Sequence, residues 1–339
     1  MMRLAFLPFA LMWAVSVRAE IYELPPEGFD VIGAVSTVTA RHEDTLVDIA
    51  RRHGLGYQDI VRANPGVNVW VPGEGTEIVL PTRFVLPPVP RSGVVLNLAE
   101  YRMYYFPEPR DGEPAWVMTY PISIGRMDWE TPLGMTKVIS KVVDPAWYPP
   151  QSVRDEHAAE GDILPRVVPP GPDNPLGSRA MRLGLPGYLI HGTNRPAGVG
   201  MRVTHGCIRM FPEDIEFLFQ HIDVRTPVRI INEPVKLGWD GDELVMEVHP
   251  VLESATPELE NMSEELLEQM DAAEVDEELV APVARNPLTI VTEQFIAATS
   301  DRSGQLDWRI VESLIDLSDG IPAPVGTGTK NAATSAASK

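Results

Sequence analysis

Cysteine is almost absent from this chain: Cys207 is the only one in 339 residues. A lone thiol rules out an intramolecular disulfide framework and any CxxC metal or redox pair. Basic residues are also scarce, with 28 Lys+Arg against 48 Asp+Glu and a formal net charge of −20. That balance excludes nucleic acid as a partner, because nucleic acid needs basic patches. It also excludes binding to an anionic surface by bulk charge, so an anionic ligand must be held by local cations. Long apolar runs are missing too. Beyond the first residues no segment is apolar enough to cross a bilayer. The residue in excess is proline, 33 in all. That is too many for long helices throughout, and it predicts a β-rich, loop-rich body.

The first 19 residues read as a secretory signal peptide. Arg3 supplies the positive start, residues 4–17 are apolar and uncharged, and Val17-Arg18-Ala19 fits a small-x-small cleavage site. The run is short of the roughly 18–20 apolar residues of a membrane span. No lipobox cysteine follows it. The expectation is an exported protein with no transmembrane segment after cleavage. In such a chain a single thiol is either an inert buried residue or a nucleophile.

Residues 20–35 read as a short linker and 36–81 as one compact βααβ unit. Its strands are 37–40 and 76–81. Asp44-Thr45 caps a helix over 46–53, with Leu46, Ile49 and Ala50 at helical spacing. A second helix covers 59–63, and Asn64-Pro65-Gly66 turns the chain. Pro81 to Pro90 reads as a semi-rigid spacer. From Gly93 the pattern is mainly β, with strands near 94–98, 102–106, 116–125, 137–143, 188–191 and 227–231, and one marked helix opened by Pro212. Residues 145–187 are dense in Pro and Gly. A long loop before a candidate site residue is expected to be functional, here as a wall or lid. Residues 233–252 predict a hairpin. Residues 253–320 form an acidic, partly helical region; 253–284 carry 11 acidic residues and neither Lys nor Arg. That stretch reads as a solvated face with an amphipathic helix around Leu259 to Met270. Helices are expected over 290–298 and 308–317, and a disordered tail over 321–339.

The chemistry concentrates in two runs, His191-Gly192-Thr193-Asn194 and Thr204-His205-Gly206-Cys207-Ile208-Arg209. A thiol attacks a carbonyl as thiolate, and a histidine partner supplies the base. The base needs an acceptor on its other ring nitrogen. No Asp or Glu lies between Ile190 and Met210, so that acceptor is expected to be a backbone carbonyl, with Gly192 nearest. Gly206 permits unusual dihedrals, so the amides of His205, Gly206 and Cys207 can converge on an oxyanion. Thr204 is placed to brace the turn. Arg209 suits a substrate carboxylate; the competing reading pairs it with Glu213 or Asp214. His191, His205 and Cys207 also carry zinc-ligating atoms, but His-x-Cys within one turn crowds them, so no metal and no cofactor is expected.

These two runs resemble the motif of YkuD-type L,D-transpeptidases over residues 92–232. Gly125, Thr131-Pro132-x-Gly134 and the 170–175 loop fit the same family, and Thr204 stands where serine is commoner. Residues 36–81 resemble a LysM module through Asp44-Thr45-Leu46, Ile49-Ala50, Asn64-Pro65, Pro72-Gly73 and Ile78-Val79-Leu80-Pro81, with Glu43 where glycine is usual. Trp70 to Thr76 fits the branch that joins the two modules.

The resemblance implies a mainly β, sandwich-like catalytic domain behind a small βααβ LysM domain, in the periplasm and associated with the cell wall. It implies Cys207 as nucleophile, His191 as base oriented by the Gly192 carbonyl, and an oxyanion hole around His205, Gly206 and Cys207. Arg209 holds the peptide, and Asp44, Thr45 and Asn64 lie in the glycan-binding loops. The implied reaction acylates Cys207 with a peptidoglycan tetrapeptide stem, releases D-Ala, and passes the diaminopimelate acyl group to an amine. The amine is a lipoprotein lysine, slightly favoured, or a second diaminopimelate. Water as acceptor makes an L,D-carboxypeptidase, and a non-catalytic LysM wall-binding protein is the remaining alternative. Papain-like and NlpC/P60-type peptidases place cysteine before histidine, the reverse of the order here.

Overall fold

The structure is a computed structural model and describes residues 20–330 except 111, 127–128 and 253–284. The proposed signal peptide and the 259–270 helix lie outside the described residues. Strands β1 (Glu20–Glu23), β2 (Val31–Gly33) and β3 (Ser36–Thr39) precede helices α1 (Leu46–Arg52) and α2 (Tyr57–Ala63). Then come β4 (Glu77–Leu80), β5 (Arg83–Val85), β6 (Gly93–Asn97), β7 (Arg102–Phe106), β8 (Trp116–Pro121), β9 (Ile124–Gly125) and β10 (Gly134–Val143). Helix α3 (Gln151–Ala159) is followed by β11 (Arg179–Leu183), β12 (Leu189–His191), β13 (Arg202–Thr204) and β14 (Ile208–Arg209). The chain ends with α4 (Pro212–His221), β15 (Pro227–Ile231), β16 (Val235–Asp240), β17 (Glu243–Val248), α5 (Pro287–Ala298), β18 (Arg302–Leu306), α6 (Trp308–Leu317) and β19 (Ala323–Lys330).

A nine-stranded sheet in the order β1-β8-β7-β6-β15-β10-β11-β12-β14 organises the molecule. Alternation along its strands feeds two cores. Leu96, Met103, Tyr105, Met118 and Tyr120 face the core that α4 closes with Ile215 and Leu218. Their neighbours Val95, Tyr104, Phe106 and Val117 point the other way, into a core shared with Leu46, Ile49, Ile60 and Ile78 of the small βααβ unit. Strand β7, third in the sheet order, is therefore buried on both faces. This is why it reads as a continuous apolar run rather than an alternating one.

Polar contacts hold the small unit in the same place. Arg51 makes two 2.7 Å hydrogen bonds to the Glu213 carboxylate of α4. Arg102, itself buried, meets Asp59 at 2.6 Å. The Tyr57 amide donates to the Val199 carbonyl at 2.9 Å. Gly56 and Gly200 pack backbone to backbone: a Cβ on Gly56 would lie 2.7 Å from the Gly200 Cα, and Gly200 has φ +86°. Only glycine fits that crossing.

Three sequence expectations need correction. The 20–35 stretch is not a linker, because β1 adds to the edge of the large sheet beside β8 and β2 pairs with β5. The 81–90 spacer contains β5, and Phe84, Val85 and Leu86 are buried. Proline density concealed that apolar triplet. The tail expected to be disordered over 321–339 instead begins with β19, which pairs with both β17 and β18. Its Gly/Thr composition hides a strand whose partners hold it by backbone hydrogen bonds. The predicted hairpin is present as β16–β17 and becomes half of a four-stranded sheet covered by α5 and α6.

A buried ionic cluster sits where this C-terminal unit meets the large sheet. Lys236 donates to Glu100, lies 3.0 Å from Glu247 Oε1, and donates to the Tyr104 hydroxyl at 3.0 Å. His249 Nε2 is 2.7 Å from Glu247, whose other oxygen accepts from the Val85 amide at 2.6 Å. Burial alone would raise the Glu247 carboxyl, but Lys236 and His249 outweigh it and pull it down to about 2.

Candidate active site

Strands β12 and β14 run parallel, with Ile190 opposite Ile208 and His191 opposite Arg209. That register brings together two runs separated by 16 residues of sequence and sets Cys207 just before β14, beside the strand that ends on His191. The His191 ring is buried, and its Nδ1 lies 2.6 Å from the Gly192 carbonyl. With Nδ1–H donated there, Nε2 keeps its lone pair. The sequence expectation of a backbone orienter is matched by this contact. The Cys207 thiol donates to the Gly187 carbonyl at 3.6 Å, and the Leu189 amide also supports its sulfur. Among the described residues no hydrogen bond joins Cys207 to His191.

Both shifts favour the neutral forms. Burial, and next the Arg209 charge, bring His191 down to about 3 against the Gly192 hydrogen bond. Burial pushes the Cys207 thiol up to about 11. Proton transfer from the thiol is therefore expected to accompany attack. Alkylation of Cys207 by iodoacetamide should rise by about tenfold per pH unit from 7 upward, following the thiolate fraction. A plateau at or below pH 7 in that rate profile would reject the neutral pair.

The turn before Cys207 is held from several sides. Thr204 Oγ1 donates to the Cys207 carbonyl at 2.6 Å, the brace expected from the sequence. Thr131 Oγ1 donates to the Gly206 carbonyl at 2.8 Å. Gly206 has φ +92°, and its α-carbon packs against the Tyr188 ring. Among the described residues the amides of His205, Gly206 and Cys207 meet no acceptor. They are free to receive one.

Arg209 does not pair with Glu213, which Arg51 occupies. Among the described residues its buried Nε meets no partner. A planar cation left unpaired beside a thiol suits an incoming carboxylate. Among the described residues the side chains gathered closely enough to share a metal ion are Glu100, Glu247 and His249, and Lys236 already lies among them.

The 145–187 segment is more ordered than its composition suggests. It contains α3 and β11, and Glu156 of α3 reaches His205 Nε2 at 2.9 Å and Arg126 at 2.7 Å. The segment expected to act as a wall or lid thus contains a helix, and that helix reaches the residue two before Cys207. Glu156, Arg126 and Trp129 carried no signal in the sequence, since each comes from a distant segment with no spacing relation to Cys207.

The three residues expected to bind glycan are used internally. Thr45 caps α1 in a reciprocal box with Asp48. Asp44 is buried, pairs with Arg52 at 2.8 Å and accepts from the Arg41 amide. The Asn64 amide donates to the Ile60 and Val79 carbonyls and accepts from the Val79 amide. Their side chains shape the loops. The exposed apolar residues beside them are Trp70 and Val71, 61% and 71% accessible.

Comparison with known proteins agrees with this geometry. Residues 91–230 match the YkuD model, an L,D-transpeptidase catalytic domain, and residues 38–81 match the LysM domain. The chain is 35% identical over 328 residues to the probable L,D-transpeptidase ErfK/SrfK of Salmonella typhimurium, covering 95% of this chain and 97% of that protein. It is 40% identical over 258 residues to the probable L,D-transpeptidase YcfS of Escherichia coli, covering 74% and 79%. It is 38% identical over 261 residues to the probable L,D-transpeptidase YbiS of the same species, covering 74% and 84%. With a relative of that identity matched over nearly its whole length, the chain belongs to the L,D-transpeptidase family, in a form that carries a LysM domain ahead of the YkuD catalytic domain.

Proposed function

We propose that the chain is a periplasmic cysteine L,D-transpeptidase acting on peptidoglycan tetrapeptide stems. The observation that supports this reading is the parallel β12–β14 pairing, which lays the run ending on His191 against the run that follows Cys207, with the His191 tautomer fixed by the Gly192 carbonyl. His191 Nε2 takes the thiol proton as sulfur bonds to the carbonyl carbon of the third stem residue. The free amides of the 205–207 turn receive the oxyanion. The bond to D-Ala breaks, its nitrogen takes the proton from His191, and a thioester remains. An amine then attacks, gives its proton to His191, and displaces the thiol. The unpaired Arg209 guanidinium supports binding of a stem carboxylate during both steps.

The acceptor is a lipoprotein lysine or a second diaminopimelate. Both reactions need the same donor half, so the donor chemistry is tested first. Purified protein with tetrapeptide muropeptides is expected to release D-Ala; no release would overturn the reading. Muropeptide mass spectrometry of a deletion strain then separates the acceptors. Loss of Lys-Arg-modified tripeptides identifies lipoprotein anchoring, and loss of diaminopimelate–diaminopimelate dimers identifies cross-linking. For the LysM unit, the surface left to meet glycan is the loop backbone with Trp70 and Val71, because Asp44, Thr45 and Asn64 are occupied within the unit.

A further inference from the structure

We propose that Glu156 is a positioning residue for acyl transfer: from helix α3 it holds the His205 ring and thereby steadies the turn that presents Cys207. The proposal rests on the transpeptidase reading above. Glu156 uses both carboxylate oxygens. One meets His205 Nε2 at 2.9 Å and the other accepts from Arg126 Nη2 at 2.7 Å. These partners lie on two strands of chain beside the same turn. His205 directly precedes Gly206-Cys207, and the Arg126 amide donates to the Thr204 carbonyl at 2.9 Å.

The other side-chain hydrogen bonds of α3 stay close to home. Gln151 meets Asp155, Arg154 meets the Pro149 carbonyl and Gln151, and His157 meets Asp162. Among the described residues Glu156 is therefore the polar link from α3 to the catalytic turn. The turn needs such a link. Thr131 and Thr204 fix the carbonyls of Gly206 and Cys207, but neither touches the His205 ring. That ring is otherwise met by the edge of Trp129, 5.2 Å between centroids, and by the tilted His157 ring of α3 at 6.5 Å, neither of which hydrogen-bonds it. Gly206, at positive φ, is the soft point between these anchors. A small rotation there re-aims the amides of Gly206 and Cys207, and oxyanion stabilisation falls steeply with misplacement. Arg126 also has an electrostatic effect. By neutralising Glu156 it keeps a carboxylate near the turn from opposing a developing negative charge. The His205 hydrogen bond further assigns its N–H to Nε2.

The test compares two reactions at Cys207 in the full-length protein. Acylation by a carbapenem passes through an oxyanion; alkylation by iodoacetamide does not. Both are followed by intact mass, with thermal melting as the check on folding. Glu156→Ala is expected to slow acylation by about tenfold while alkylation stays within about twofold. Glu156→Gln, whose carbonyl still accepts from His205, should regain most of the acylation rate. Glu156→Asp keeps the charge but is one methylene too short to span both partners, so it should behave like Glu156→Ala. Wild-type acylation with no change in Glu156→Ala and Glu156→Asp, or a parallel fall in alkylation, overturns the positioning role alone. A wild-type protein that alkylates but never acylates overturns the transpeptidase reading and this proposal with it.

Discussion

Cys207→Ala is expected to lower D-Ala release from tetrapeptide stems by at least about a thousandfold, or more than about 4 kcal/mol of barrier. The size follows from how the site is built. The chain contains no second thiol. The substitution leaves the turn intact, because Thr131 and Thr204 hold backbone carbonyls rather than the sulfur. The Arg209 guanidinium also remains. Donor binding should therefore survive, while kcat collapses and KM changes little. A D-Ala release assay, with intact-mass detection of a carbapenem adduct alongside, checks this. Release from Cys207→Ala above about a tenth of the wild-type rate would remove the thiol from the mechanism.

Lys236→Met is expected to be the most destabilising single change outside the site. Lys236 is fully buried, and its ammonium meets two carboxylates, Glu100 and Glu247, that are each about 1% exposed. Removing one partner of a buried ionic group leaves uncompensated charge and costs about 3–5 kcal/mol. Glu100 feels this first. Burial already pushes its carboxyl up against the attraction of Lys236, and its Oε1 has no hydrogen-bond partner. The cluster ties the turn after β6 to β16 and β17, so the loss should weaken the hold of the C-terminal unit on the large sheet. Urea denaturation followed by tryptophan fluorescence reads both effects, because Trp239 lies in that unit and Trp116 in the catalytic sheet. An unchanged midpoint would show that the cluster is energetically neutral. Adding Glu100→Gln and Glu247→Gln should recover part of the loss, since the stranded charges are then gone.

Much of the catalytic geometry was legible in the sequence, because it is local. His191-Gly192 carries its own orienting carbonyl, and Thr204 to Arg209 carries the turn, the brace and the cation. The helices of the small unit were legible for the same reason, through the Thr45 cap and the Leu46-Ile49-Ala50 stripe. Contacts across sequence were not legible. Glu156 sits 49 residues before His205 within a segment dominated by proline and glycine, so no period or spacing relates them. The ends of domains failed for a related reason. A strand such as β19 is recruited by backbone partners on either side, and its Gly-Thr composition gives no pattern of its own. The glycan-loop residues carry a second role that the sequence also explains: Asp44, Thr45 and Asn64 supply an ion pair, a helix cap and a turn within the small unit.

The backbone crossing of Gly56 and Gly200 has a consequence for how the wall is searched. A module on a flexible tether raises the local concentration of its target throughout a volume set by the tether's length. No such tether joins α2 to the catalytic sheet, because one continuous core and the Arg51–Glu213 and Arg102–Asp59 pairs close the gap. The offset between the LysM loops and the Cys207 thiol is then a fixed vector, not a distribution. On the proposed function, glycan held at one end is expected to present stems to the other only at that spacing.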